Sequence, residues 1–164
     1  MIIKGKAIKY GNDVNTDVIL PGRYLHLTDP EEMVKHVLED LDPDFLKKFH
    51  IGDVVVAGRN FGCGSSREQA VMCLKYAGVG CIVAKSFARI FYRNAINQGL
   101  PVVESPDAAD IIDSGDELEI DINEGFIVDK TKNLRFSFHP IPGFIKKILE
   151  AGGLIPRLKK LGEE

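Results

Sequence analysis

GRNFGCGSSREQA, residues 58–70, is the stretch from which the fold of this chain can be worked out. It follows the run DVVVA, residues 53–57, whose β-branched side chains are typical of a buried strand. Three glycines among its first seven residues allow the backbone to turn sharply and to approach a ligand closely. Ser65 is followed three residues later by Glu68, which fits a capping box with Ser65 as the N-cap. The sequence therefore predicts a strand, a glycine-rich loop and a helix N-terminus in succession.

This predicted loop is a candidate anion site. The first amides of a helix have no partner within the helix, and its dipole directs the positive end toward the loop. Arg67 could add a two-pronged clamp for a carboxylate. The same pattern also fits a capped helix after an ordinary turn, with Arg67 in solvent. It is neither a Walker loop, because no Gly-Lys-Ser/Thr follows, nor a dinucleotide fingerprint, because Gly62 and Gly64 lack the required third glycine.

The segments around this stretch complete an α/β pattern. Strands are predicted at residues 2–9, 53–57, 81–84 and 101–103, and helices between them at 29–41, 65–76 and 86–99. This order predicts parallel neighbouring strands with right-handed crossovers. Further along, alternating segments at residues 116–122, 126–129 and 134–138 predict an antiparallel meander, followed by helices at 141–151 and 154–161. The sequence therefore predicts one α/β domain with a mixed sheet.

The composition excludes several classes of protein. The chain has 164 residues, 45% of them hydrophobic and 27% charged, which is typical of one globular domain. Its net charge of −3 gives no electrostatic reason to expect nucleic-acid binding. No apolar run approaches the roughly 20 residues that span a membrane. The cysteines are odd in number and have no disulfide pattern, which favours a reducing cytoplasm.

Three stretches carry a resemblance to a known family. They are NFGCGSSREQA at residues 60–70, GNDVNTDVILPG at 11–22 and AKSFARIFYRNAINQG at 84–99. Together they resemble the swivelling domain of the aconitase superfamily, and more narrowly the small subunits of 3-isopropylmalate dehydratase and their homoaconitase relatives. The resemblance extends over roughly residues 2–103. It implies that residues 1–164 form a single swivel domain, with a three-layered β/β/α fold and a mixed, partly parallel sheet.

The resemblance also implies a reaction. The family eliminates water from a 2-hydroxy acid and adds it back in the opposite sense, so a base must remove a weakly acidic proton beside a carboxylate. By resemblance that base is Ser65, and Gly64, Ser66 and Arg67 bind the substrate. Asp17 matches an active-site acid of the first loop, where it would orient a partner group. An alternative interpretation of Asp17 is an Asx-turn residue that satisfies local amides.

The resemblance places half of the active site on another chain. In the family a 4Fe–4S cluster acts as the Lewis acid that draws off hydroxide, and such a cluster needs three or four thiolates. Cys63, Cys73 and Cys81 show no cluster spacing. We therefore expect no cofactor on this chain and a cluster on a large subunit, in a heterodimer or heterotetramer. A free-standing RNA-binding module is the competing class, and the acidic balance of the chain argues against it.

Residues 23–28, RYLHLT, are the expected determinant of substrate choice. In the family this stretch closes over the variable substituent, and homoaconitase-like members resemble Tyr-Leu-Arg-Thr, whose arginine meets an extra carboxylate. Here Leu25 and Leu27 favour an isopropyl group, and His26, a residue type mostly neutral near pH 7, replaces the arginine. The alternative is that His26 points into solvent while the leucines pack the loop. Either way, we expect 3-isopropylmalate, an intermediate of leucine biosynthesis, to be preferred over homoaconitate.

One row of cations has two possible interpretations. Lys85, Arg89 and Arg93 are spaced four residues apart, so on a helix they form one stripe. They could border the cleft or meet a partner, or they could be a solvated basic face.

Overall fold

Strand β1 (Ile2–Lys9) lies at the centre of a seven-stranded sheet in the computed structural model, which describes residues 1–163. Its residues 2–6 pair antiparallel with β5 (Glu117–Asp121). Its residues 7–9 pair in parallel with β2 (Val54–Ala57) on the other side. Strand β1 therefore joins an antiparallel half of the sheet to a parallel half.

The two halves differ in burial, as their sequences predict. The parallel half continues from β2 to β3 (Cys81–Ala84) and β4 (Val102–Glu104), and every residue of β2 and β3 is buried. Strands covered on both faces need no polar alternation, which explains the uninterrupted apolar runs. The antiparallel half, from β5 through β6 (Phe126–Asp129) to β7 (Leu134–Ser137), forms the predicted meander.

Eight α-helices and one 3₁₀ turn (Gly22–Tyr24) connect and cover the strands within residues 1–163. The helices are α1 (Thr16–Ile19), α2 (Pro30–Val34), α3 (Phe45–Lys48), α4 (Glu68–Ala77), α5 (Arg89–Asn97), α6 (Pro106–Ile111), α7 (Gly143–Ala151) and α8 (Leu154–Glu163). Helix α4 contacts α1, α2 and α5, and α5 in turn contacts α7 and α8. The predicted α/β class with a mixed, partly parallel sheet is confirmed.

Some local details differ from the prediction. The helix predicted over residues 29–41 is a true α-helix only at Pro30–Val34, although Asp29 caps it as expected by accepting a hydrogen bond from the Glu31 amide. The helix cannot continue to residue 41, because Leu38 takes a left-handed φ of 56° and donates its amide to the Ile19 carbonyl at 2.9 Å. Helix α6 was not predicted, since its single buried pair of alanines gives little periodic signal.

None of the helices within residues 1–163 has the length and apolar character needed to cross a membrane.

Candidate active site

The loops that follow β1 and β2 run side by side beyond the ends of the strands. The Asp13 amide donates to the Arg59 carbonyl at 2.8 Å, and the Gly62 amide donates to the Val14 carbonyl at 2.7 Å. A parallel bridge then joins Asn15 to Cys63. The parallel pairing of the two strands is thus prolonged into the loops, which brings residues 12–17 against residues 59–66.

Thr16 fixes the main chain at Ser65. Its side chain is buried, at 3% exposure, and its hydroxyl donates a hydrogen bond of 2.8 Å to the Ser65 carbonyl. Its amide donates to the Cys63 carbonyl at 2.9 Å. Ser65 and Ser66 are themselves exposed. The backbone of the predicted base is therefore anchored from below, while its side chain remains at the surface.

The predicted capping box is wrong. Helix α4 begins at Glu68, and its N-cap is Arg67, in an extended conformation without a side-chain capping bond. The Glu68 carboxylate accepts a hydrogen bond from the Gln98 side chain instead of returning to Ser65. The reason is that Gly64 has a left-handed φ of 92° and the Thr16 bond holds Ser65 in the loop. Ser65 consequently lies three residues before the helix, so the first helical amides do not lie directly beneath it.

Arg67 and Asp17 form an ion pair across the two loops, through one guanidinium nitrogen and one carboxylate oxygen. The Arg67 side chain is 18% exposed and that of Asp17 is 63% exposed, so the arginine is not on a solvated face. The local amide is satisfied by Asn15 and not by Asp17, because the Asn15 side chain accepts the hydrogen bond from the Val18 amide at 3.0 Å. Asp17 is therefore not the Asx-turn residue. The structure thus brings together the predicted carboxylate clamp and the predicted active-site acid.

A cavity of about 310 Å³ opens between the glycine-rich loop and the start of α5. On the loop side it is lined by Thr16, Gly62, Gly64, Ser65, Ser66 and Arg67, and on the helix side by Ala88, Arg89, Ile90, Phe91 and Asn94. Its size suits a small organic acid, since ligand pockets begin at roughly 300 Å³. The predicted residues Gly64, Ser65, Ser66 and Arg67 therefore share one cavity.

An aromatic cluster beneath this cavity holds its two walls together. Phe61 packs edge-on against Phe91, with ring centroids 5.3 Å apart, and against Phe87 at 6.0 Å. The Ala88 amide donates to the Phe61 carbonyl at 2.9 Å. Gly62 has a left-handed φ of 81° and lies so close to the Phe91 ring that a Cβ would collide with it. Only glycine allows the loop to pass over α5 at this distance.

The expected specificity residues lie outside this cavity. Leu25 and Leu27 are partly buried and pack against the core, whereas His26 is exposed. They follow the 3₁₀ turn, whose Gly22 lies against the ion pair: a Cβ there would be 3.7 Å from both an Arg67 nitrogen and an Asp17 oxygen. The stretch 23–28 is therefore adjacent to the candidate site without lining it.

Sequence reasoning missed the contacts that anchor this stretch. Arg23 makes two hydrogen bonds to Asp40, of 2.7 and 3.0 Å, and one of 2.8 Å to Glu39. The guanidinium holds the pKa of the Asp40 carboxyl below its usual range. Tyr24 stacks on His36 with ring centroids 3.6 Å apart. Because these partners are twelve or more positions apart on irregular backbone, no periodic pattern could have revealed them.

The cysteines do not fit an iron–sulfur cluster on this chain. Cys73 and Cys81 are fully buried at 0% exposure in separate elements, and burial raises the pKa of both thiols. Cys63 is half-buried, and burial together with the Asp13 charge raises its pKa as well. Across residues 1–163 there is no group of three or more His, Cys, Asp or Glu side chains that could hold a metal ion.

Comparison with known proteins places this chain in a family. A family model described as the aconitase C-terminal domain matches residues 22–107. A 3-isopropylmalate dehydratase small subunit of Caldicellulosiruptor saccharolyticus is 57% identical, over 97% of this chain and 92% of its own. A small subunit 2 of the same name from Archaeoglobus fulgidus is 56% identical, over 99% of this chain and 98% of its own.

A solved structure supports the same family. The crystal structure of a 3-isopropylmalate dehydratase from Methanocaldococcus jannaschii superposes with a TM-score of 0.94 at 52% identity, covering 99% of this chain and 96% of that one. The chain therefore belongs to the family of 3-isopropylmalate dehydratase small subunits, which carry the aconitase C-terminal domain.

Proposed function

We propose that this chain is the small subunit of a 3-isopropylmalate dehydratase, a hydro-lyase of leucine biosynthesis. The enzyme interconverts 2- and 3-isopropylmalate by removing water and adding it back. The observation that carries this proposal is the cavity shared by Ser65, Ser66 and Arg67, in a chain that is 57% identical to a relative of that name.

Ser65 Oγ is the proposed base. It removes the proton beside a substrate carboxylate and returns a proton when water is added in the opposite sense. A serine hydroxyl is a weak base in water and needs a neighbouring positive charge or donor to favour the alkoxide. Arg67 lines the same cavity and can supply that charge once Asp17 no longer pairs with it. Because Ser65 lies before α4 and does not cap it, the helix amides contribute less than the sequence predicted.

Gly64, Ser66 and Arg67 are the proposed substrate-binding residues. The planar guanidinium of Arg67 can meet both oxygens of a carboxylate and keeps its charge at any working pH. In the isolated chain Asp17 occupies one of its nitrogens, as a substrate carboxylate would. We infer that a substrate carboxylate competes with Asp17 for Arg67, and that the freed Asp17 carboxylate orients a group of the partner subunit.

The remaining half of the chemistry belongs to a large subunit. A 4Fe–4S cluster would supply the Lewis acid that draws off hydroxide. The thiols of this chain do not suit it, because two are fully buried and burial raises the pKa of the third. We therefore assign the cluster to the large subunit, in a heterodimer or heterotetramer. The three free cysteines favour a reducing compartment, the cytoplasm.

Leu25, His26 and Leu27 are the proposed specificity residues, and the alternative function is that of a homoaconitase small subunit. The apolar pair and the absence of an arginine at position 26 support the branched aliphatic substrate. The test is to co-express this chain with the large subunit of the same cell and to assay both substrates anaerobically. Turnover of 3-isopropylmalate supports the proposal, and turnover of homoaconitate alone would replace it with the alternative.

A further inference from the structure

The cavity beside Ser65 contains a second cation that has no assigned role. Arg89 is the first residue of α5 and lines the helix side of the cavity, whereas Arg67 lines the loop side. Arg89 is exposed, so its side chain is accessible to solvent. The backbone beneath it is held by the hydrogen bond from Ala88 to Phe61 and by the packing of Phe87 and Phe91 on Phe61. Arg89 is thus an exposed cation on a fixed wall.

Arg89 determines the net charge of the residues that line this cavity. Arg67 and Arg89 are the two charged residues that line this cavity. Asp17 neutralises Arg67, whereas across residues 1–163 no carboxylate lies within 4 Å of the Arg89 guanidinium. The net positive charge of the cavity in the uncomplexed chain therefore comes from Arg89. A doubly charged acid needs more positive charge than the Arg67–Asp17 pair provides, because like charges disfavour its entry and opposite charges favour it.

The neighbouring cations of the same row are placed differently. Lys85 forms an ion pair with Asp110 at 2.5 Å, so its charge is already matched. Arg93 lies one helical turn beyond Arg89 and does not line the cavity beside Ser65. It lines a neighbouring cavity of about 660 Å³, which Arg89 borders as well. Of the three cations that share the stripe, Arg89 alone lines the candidate site.

We propose that Arg89 is a substrate-binding residue that meets the second carboxylate of the dicarboxylate substrate, while Arg67 meets the first. This inference rests on the proposed function, because substituted malates carry two carboxylates. The proposal gives the two arginines different roles. Arg67 holds the carboxylate nearest Ser65, and Arg89 fixes the other end and so orients the molecule.

The test uses the complex reconstituted with the large subunit and three variants of this chain: Arg89→Gln, Arg89→Lys and the matched control Arg93→Gln. We expect Arg89→Gln to raise KM for 3-isopropylmalate by about ten- to a hundredfold, the effect of losing one charged hydrogen bond, with a smaller change in kcat. Arg89→Lys should recover part of the loss, and Arg93→Gln should stay within about twofold of wild type, as surface changes usually do.

A second measurement separates carboxylate binding from other roles. Competitive inhibition is compared for a substituted malate and for its monoamide, which lacks one charge. The wild-type complex should prefer the diacid, and Arg89→Gln should reduce that preference toward one. An unchanged preference in an assembled, active Arg89→Gln complex would overturn the proposal.

Assembly provides the remaining outcome. If neither Arg89→Gln nor Arg89→Lys co-elutes with the large subunit, Arg89 belongs to the subunit interface and the proposal is wrong. Failure of the proposed function itself gives a different result, since the wild-type complex would then show no turnover of 3-isopropylmalate.

Discussion

The hydroxyl of Thr16 donates a 2.8 Å hydrogen bond to the main-chain carbonyl of Ser65, 49 residues further along the chain. The bond crosses between the loops that follow β1 and β2, at the point where their parallel pairing ends. It makes the position of the proposed base depend on a buried residue of the other loop.

Thr16→Val should therefore impair catalysis more than folding. Valine keeps the shape of threonine but removes the hydroxyl, and losing one hydrogen bond to an exposed residue costs about 1 kcal/mol of unfolding free energy. A misplaced base should lower kcat of the reconstituted enzyme by tenfold or more, since small displacements of reacting groups are costly. Denaturation and steady-state kinetics measure the two effects.

The control for this variant is Thr131→Val, which removes a threonine whose oxygen accepts the Glu117 amide at 2.9 Å, far from the site. It should lose similar stability and keep its kcat. Equal kcat in Thr16→Val and wild type would show that the bond does not position Ser65.

Asp17→Asn should lower kcat without raising KM. The Arg67–Asp17 pair is partly exposed, and such pairs contribute only about 0–1 kcal/mol, so the variant should fold normally. Removing the competing carboxylate leaves Arg67 free for substrate, so KM should not rise. Because Asp17 can no longer orient a partner group, kcat should fall.

Arg67→Gln is the informative comparison, because it removes the clamp and should raise KM sharply. If Asp17→Asn raised KM as much as Arg67→Gln does, the view that Asp17 occupies the substrate's place on Arg67 would be wrong.

His26→Arg should change substrate preference. We expect the wild-type complex to prefer 3-isopropylmalate to homoaconitate by at least about tenfold in kcat/KM, the worth of one charged hydrogen bond. An arginine at position 26 supplies a partner for the extra carboxylate and should narrow the gap. Competition between the two substrates measures the ratio directly, and a wild-type preference for homoaconitate would refute the leucine-pathway assignment.

Asp129→Asn should alter the pH dependence of stability. Asp129 is fully buried, and burial together with the neighbouring Asp116 carboxyl raises the pKa of its carboxyl group. A raised pKa in the folded state means that this group favours folding at low pH, and that its contribution is lost as pH rises through the folded-state pKa. Asparagine resembles the protonated acid and carries no charge.

The free energy of unfolding of Asp129→Asn, relative to wild type, should therefore increase as pH is raised from about 4 to 8. Chemical denaturation at several pH values measures this difference. A difference that does not vary with pH would show that Asp129 has the same pKa in the folded and unfolded chain.

The strands of the sheet could be predicted because each has a local hydrophobic pattern. The apolar runs of β2 and β3 are uninterrupted because these strands are buried on both faces. The segments of the meander alternate because those strands are buried on one face only. Helices α4 and α5 were also predicted, and α4 ends at Gly78, a glycine in the left-handed conformation.

The structure brings Gly64, Ser65, Ser66 and Arg67 into one cavity, as the sequence led us to expect, but the geometry around them could not be predicted. Ser65 and Glu68 have the spacing of a capping box, yet the Ser65 carbonyl is held by Thr16 and the Glu68 carboxylate by Gln98. Those partners lie far away in sequence, so local spacing could not show that they compete with the cap. The ion pair of Arg67 with Asp17 was hidden for the same reason.

The central claim is that Ser65 is the base, and Ser65→Ala tests it most directly. Ser65 does not cap α4, so the variant should lose little stability, within about 0.5 kcal/mol, and should assemble normally. The measurement is the anaerobic turnover of 3-isopropylmalate by the reconstituted complex, with Ser137→Ala, an exposed serine of β7, as the matched control. We predict that Ser65→Ala abolishes nearly all turnover while Ser137→Ala retains it. Turnover by assembled Ser65→Ala within a few-fold of wild type would contradict the account.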